Sequence, residues 1–340
     1  MANYVPSDLV KAQGILLERF QSAELRYREP VTFMEFVRQS QIMLPDSRIL
    51  RTREDRAVSA YFKNRTSRAL GSARVHNSSG TKGDSTELSL SWTTYSDKFA
   101  NSLKQADNNV FSLPEMLANE FQNVIANFAE GLETAAVNYA FSNRTGVNNG
   151  TSQGTFDATD DVFDIATADI EQAVQITKAN MRENKYYGAY TIFCDTISYN
   201  LFEKQANQGT GNSTNLSFQY NGVKFINSIE LGALAAALTV PRTAGFWVAI
   251  PDGMIASLNW IPKQNREGID TKEGVYSSMM NPVDGLDYSM FSYEQRADES
   301  ASGGYTQDIL TEVEVSIDIA LEHAPLTTAN ETPLLAYALV

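Results

Sequence analysis

Ser112-Leu113-Pro114-Glu115 limits the fold of this chain more than any other feature, because it opens a very long amphipathic helix. The spacing predicts a capping box, in which the serine oxygen accepts a first-turn amide and the glutamate reaches back to the serine. Leu117, Phe121, Val124, Ile125, Phe128, Leu132, Ala135, Ala136 and Tyr139 then keep helical phase. At 1.5 Å per residue, helix 112–142 is roughly 45 Å long. A compact globule of this 340-residue chain has a radius of gyration of only about 20 Å, so the helix must act as a spine. Gly131 inside it predicts close packing against a sheet.

The segments around the spine predict a mixture of helices and strands. Residues 7–28 and 32–42 read as helices, the first with Ser7 as cap and the second carrying Phe33, Phe36 and Val37. Together they are too short for a core of their own and read as an N-terminal arm. Thr86 to Thr93 alternates apolar with polar, which puts Leu88, Leu90 and Trp92 on one face of a strand. Ala69 to Val75 is its expected partner, with Asn77 to Asp84 as the tip. A lone hairpin with one apolar row needs a surface to lie on, and a neighbouring copy is the expected one.

Beyond the polar stretch 142–159, Ala166 to Arg182 reads as helix, Tyr187 to Cys194 as a buried strand, and Thr196 to Ala206 as a helix capped by Asp195. Asn221-Gly222 between Ser217–Tyr220 and Val223–Ile226 is a strong hairpin signal. With a short helix at 231–238 and strands at 245–250 and 254–260, residues 161–284 form a mixed unit with its own core. In the last strand, Val313, Val315, Ile317, Ile319 and Leu321 face inward, and Glu312, Glu314, Asp318 and Glu322 form an acidic rail.

Charge separates along the chain. The formal total is −14, which disfavours sequence-independent binding of nucleic acid. Residues 48–82 nevertheless hold nine basic residues, Arg48, Arg51, Arg53, Arg56, Lys63, Arg65, Arg68, Arg74 and Lys82, against Glu54 and Asp55. That segment is therefore +7 and the remainder −21. It reads either as a solvated loop or as a projecting arm that lies on the acidic surface of another copy.

Chemistry is thinly supplied. The single cysteine, Cys194, excludes an internal disulfide and any multi-cysteine zinc site. His76 and His323 are the only imidazoles. Gly150-Thr151-Ser152-Gln153-Gly154 matches a nucleophile elbow in letters but lacks the buried strand before it and the helix after it. Asp157, Asp160, Asp161 and Asp164 lack the glycine and terminal glutamate of a calcium loop and read as a solvated turn. There is no phosphate-binding glycine loop. The longest apolar run, 231–240, is well short of the roughly 20 residues that cross a bilayer, and the start carries no secretory signal. Residence in a reducing cytosol is expected. No cofactor, metal or catalytic residue is assigned; a hydrolase using carboxylates or Ser152 is the enzymatic alternative.

The order of arm, basic hairpin loop, capped spine, inserted unit and returning strand resembles the major capsid proteins of tailed bacteriophages. They share an HK-ninety-seven-type fold with encapsulin shells. Tyr190 to Phe202 looks like the strand-then-helix of the family's axial domain, and Val223 to Ser228 like its next strand. The resemblance implies an α+β fold with an N-terminal arm at 1–47 and an extended β-hairpin loop at 48–100. It implies a peripheral domain at 101–160 and 285–323, an axial domain at 161–284 and a C-terminal tail at 324–340. It also implies self-assembly through pentamers and hexamers into an icosahedral virion shell around double-stranded DNA, formed in the host cytoplasm. A portal is an expected partner, with decoration proteins and, since the chain enters its arm directly, a separate scaffolding protein or none. An encapsulin compartment is the close alternative. The inter-subunit contacts are then expected from Arg48, Arg51, Arg53, Arg56, Arg65, Arg68 and Arg74, from Leu88, Leu90 and Trp92, and from the acidic rail.

Overall fold

The computed structural model describes residues 4–22, 29–64, 68–72, 74, 80, 82–102, 110–144, 154–184, 186, 188–206, 217–220, 222–263, 274–298, 307–325 and 332–340. Its helices are α1 (Tyr4–Gln21), α2 (Val31–Met43), α3 (Ser47–Arg51), α4 (Leu113–Ser142), α5 (Ala173–Glu183), α6 (Thr196–Ala206) and α7 (Leu231–Ala236). Its strands are β1 (Ser59–Lys63), β2 (Ser85–Ser89), β3 (Thr93–Ser102), β4 (Thr155–Asp157), β5 (Val162–Ile165), β6 (Tyr190–Cys194), β7 (Ser217–Tyr220), β8 (Val223–Asn227), β9 (Phe246–Pro251), β10 (Ile255–Trp260), β11 (Val275–Met280), β12 (Asp287–Asp298), β13 (Gln307–His323) and β14 (Leu335–Leu339).

The spine is α4, 30 residues long. Both the amide and Oγ of Ser112 donate to Glu115 Oε2 at 2.8 Å, which closes the helix start as the sequence predicts. Its buried stripe, Leu117 through Ala140, meets the odd residues Val313 to Ile319 of β13 in one core. Leu9, Ala12 and Leu16 of α1 and Phe33 and Phe36 of α2 join that core. The arm therefore rests on its own chain. Glu133, fully buried in α4, fixes it further by accepting the amides of Thr32 and Phe33 at 2.8 and 3.1 Å. A carboxylate at a helix N-terminus also complements the positive end of the macrodipole.

Two larger sheets flank the spine. One runs β10-β13-β12-β11, with β3 on the free side of β13. The other has the order β4-β5-β14-β9-β6-β8-β7. One face of this second sheet packs toward the spine, and the other buries Trp247, Tyr337 and Phe163 in a core with Phe202 of α6 and the buried face of α5. Asp195 Oδ1 accepts the amide of Ser198 at 2.7 Å and caps α6 as expected. Gly222, with φ of 75°, turns the β7–β8 hairpin, a conformation open to glycine.

Several expectations need correction. The partner of β2 is β1, register Ser59↔Ser89 to Lys63↔Ser85; the described residues between Ala69 and Val75 form no strand. Thr93–Ser102 continues into the main sheet, and its Tyr95 and Phe99 alternation was the available signal. The hairpin's apolar row is covered by its own chain: Leu88 and Leu90 pack with Met43, Ala256, Leu258 and Ala320. Within the expected C-terminal tail at 324–340, β14 lies between β5 and β9 with every residue buried. β10 and β11, expected within the inserted unit, belong to the spine-side sheet with β13 and β12. Gly131 marks no close approach, because a methyl there would meet nothing within 4 Å. The expected helix 7–28 is described only as far as Gln21, and residues 23–28 lie outside the described residues.

Candidate subunit-contact surface

Alternation along β13 decides which residues are offered to a partner. Its odd positions are spent on the spine, so Glu312, Glu314, Ser316 and Asp318 point to the opposite face. The neighbouring strands place Lys98 and Phe291 beside Glu314, Tyr293 and Ala100 beside Glu312, and Thr94 and Trp260 beside Asp318.

The acidic rail is partly answered within the chain. Lys98 Nζ lies 3.3 Å from Glu314, an exposed pair of small energetic weight. Tyr293 donates its hydroxyl to Glu312. Asp318 accepts from Thr94 Oγ1 at 2.5 Å and faces Arg56 Nη1 at 3.5 Å. Glu322 sits farther in, where burial pushes its carboxyl up to about 7 against one lowering contact from the Ser91 amide. The complementarity between basic segment and rail thus begins inside one chain.

The basic residues divide accordingly. Arg51 turns inward, donating from Nη2 to Ser40 Oγ and the Ser257 carbonyl at 3.1 Å each, and burial lowers its pKa. Arg56 is taken by Asp318. Arg48, Arg53, Arg68 and Arg74 are exposed, and the Arg53 carbonyl accepts Trp260 Nε1 at 3.1 Å. Arg65 lies outside the described residues. Trp92 donates to the Ala57 carbonyl at 2.7 Å, so with Leu88 and Leu90 it anchors the hairpin base to its own body.

Three constellations escaped the sequence reading. Tyr276, Phe291 and Tyr293 form a run of rings on the outer sheet face, with centroids 4.7 and 5.6 Å apart. Phe291 and Tyr293, two residues apart beside an acidic strand, were the visible sign. The aspartate cluster is a clasp rather than a solvated turn. Arg242, 1% exposed, meets Asp157 and Asp160 at 2.6 Å and Asp164 at 3.1 Å. Its guanidinium fork can serve several carboxylates at once, which an ammonium cannot. Hydrogen bonding from Arg242 holds the Asp157 carboxyl below its usual range. For Asp160, burial opposes ionisation, but the Val240 and Thr239 amides and Arg242 outweigh it. The third constellation is the buried Glu35, which accepts from Arg38, from Gln39 at 2.7 Å and from Lys224 Nζ at 2.8 Å. Burial alone would raise its carboxyl, yet these donors hold it down at about 2 and tie α2 to β8.

The enzymatic readings receive no assembled site among the described residues. Ser152 lies outside them, and His323 Nδ1 is engaged by the Tyr139 hydroxyl at 2.8 Å. Among the described residues, no group of three or more His, Cys, Asp or Glu side chains is arranged to hold a metal ion; the three aspartates on Arg242 are already satisfied by its guanidinium. No described helix is long and apolar enough to cross a membrane.

No protein-family model and no curated protein sequence matches the chain. Solved structures do. The capsid asymmetric unit of cyanophage A-1(L) aligns over 87% of this chain and 90% of its own, at 10% identity and a TM-score of 0.54. The capsid asymmetric unit of cyanophage Pam1 covers 85% and 86%, at 10% identity and a TM-score of 0.49. A structure from Mycobacterium phage Che8 covers 86% and 88%, at 9% identity and 0.49. The chain has the fold of a phage capsid subunit.

Proposed function

We propose that this chain is the major capsid protein of a tailed bacteriophage, a structural protein whose copies close an icosahedral shell through pentamers and hexamers around double-stranded DNA. The fold shared with the cyanophage A-1(L) capsid unit over nearly the whole of both chains carries this reading. Charge separation supports it: exposed Arg48, Arg53, Arg68 and Arg74 stand on an otherwise acidic molecule. Opposite patches on one chain favour head-to-tail contacts, which close into rings. A net acidic wall also avoids adhesion to packaged DNA, which would be enclosed without sequence-specific contact. A portal, scaffolding or decoration proteins, and assembly in the host cytoplasm belong to the same reading.

Light scattering and negative-stain microscopy of the purified chain test it. Shells or capsomer rings are expected; a monomer or dimer that persists at all concentrations and salts overturns it. Ser152→Ala is expected to leave particle yield unchanged, and lost assembly would give that residue a role outside this reading.

A further inference from the structure

The first helix, α1, has two apolar faces. Leu9, Ala12 and Leu16 are spent on the spine core. Val10, Gly14 and Leu17 recur at the four- and three-residue spacing that places side chains on one helix face, and that second face points to solvent. Val10 is 67% and Leu17 47% exposed, and a methyl added at Gly14 would meet nothing within 4 Å. Glycine has poor helix propensity, and its small size serves no contact in its own subunit here. Two apolar side chains one turn either side of a glycine have the shape of a helix crossing. The distance between packed helices is set by the side chains at the contact, and a glycine there lets the backbones approach.

Charge selects the occupant of this face. Exposed Lys11 and Glu18 lie on one flank of the stripe, about two helical turns apart. Lys11 Nζ is 3.5 Å from Asp8 Oδ1, an exposed contact of small weight that leaves the lysine side chain 65% accessible. When two copies of one helix pair antiparallel, residues of the same flank face each other; in a parallel pair each flank meets the opposite one. An antiparallel pair therefore sets Lys11 against Glu18 of the second copy, and Glu18 against its Lys11. Val10 then meets Leu17 of the second copy, and Gly14 lies at the crossing. A parallel pair would set both charges against the flank of Gln13 and Phe20, which carries none.

We infer that the Val10–Gly14–Leu17 face of α1 docks on the same face of a second copy as an antiparallel, two-fold helix pair. This rests on the shell reading and adds to it a contact of a different kind. The pair is isologous and complete at two chains, so it joins one ring to the next rather than extending a ring. One helix face is small for a stable dimer, so the pair holds where the other contacts of the shell bring the two helices together.

The test uses the full chain. Leu17→Asp is expected to lower particle yield at least tenfold with an unchanged thermal unfolding midpoint. Lys11→Glu and Glu18→Lys are each expected to lower yield severalfold, and the two combined in one chain to restore it, because a two-fold axis exchanges the partners. A Gly14→Cys chain, oxidised within particles, is expected to run as a disulfide-linked dimer; the native Cys194 is fully buried. Wild-type particles together with undiminished yield from Leu17→Asp or the single charge variants, or with no Gly14→Cys dimer, would overturn the pairing and leave the shell reading standing. Losses from the single charge changes that the combined chain does not restore would overturn it too, and would mark a helix of another protein as the occupant. Failure of the wild-type chain itself to form any particle would overturn the shell reading, and with it this pairing.

Discussion

Arg242→Met isolates the clasp that ties the β4–β5 hairpin to the segment before β9. The arginine is almost wholly enclosed, with three carboxylates at 2.6, 2.6 and 3.1 Å. Methionine fills much of the volume but leaves Asp157, Asp160 and Asp164 crowded without a cation. Removing one partner from a buried ion pair costs about 3–5 kcal/mol, a large part of a domain's total of about 5–15. The partial exposure of Asp157 and Asp164, at 21% and 19%, puts the expected loss near the lower end, about 3 kcal/mol. The loss must also depend on pH. Asp157 and Asp160 are held below their usual range, so their contribution is present above the unfolded carboxylate pKa of about 3.9 and fades as pH falls through the folded values. In the variant the crowded carboxylates take up protons early, which relieves their repulsion. The difference between the two proteins should therefore shrink from pH 7 to pH 4. Urea unfolding of the unassembled subunit, followed by circular dichroism, reads both quantities. A loss below about 1 kcal/mol at pH 7, or one that stays constant with pH, would refute the reasoning.

Glu322→Gln should stabilise the subunit by about 1–2 kcal/mol at pH 8 and leave it unchanged near pH 4, because the folded carboxyl titrates near 7 and native stability falls as pH rises toward that value. Equal unfolding free energies at pH 8 would show that burial does not penalise this charge. Gly131→Ala should raise stability by about 0.5–1 kcal/mol, since a methyl meets open space and the helix loses a residue of poor propensity. A lower melting temperature for that variant would mean that the glycine serves a contact absent from the isolated subunit.

The local grammar of the chain was legible without coordinates. The capping box at Ser112, the eight turns behind it, the Asp195 cap, the Asn221-Gly222 hairpin and the alternation of β13 all depend on neighbours within a few residues. Each is fixed by hydrogen-bond reach or side-chain period, and both are written into sequence order. The acidic rail was visible for the same reason; its partners were not.

Long-range pairing was decided only in three dimensions. No local pattern says that Ser59–Lys63 rather than Ala69–Val75 lies beside β2, or that the final strand enters the middle of a sheet begun more than 170 residues earlier. Nor does any local pattern say that Asp157, Asp160 and Asp164 converge on Arg242. Strand partners and buried charges are chosen by the total apolar surface covered and by which polar groups are left satisfied. Those sums run over the folded chain, so sequence determined the elements and tertiary packing determined their company.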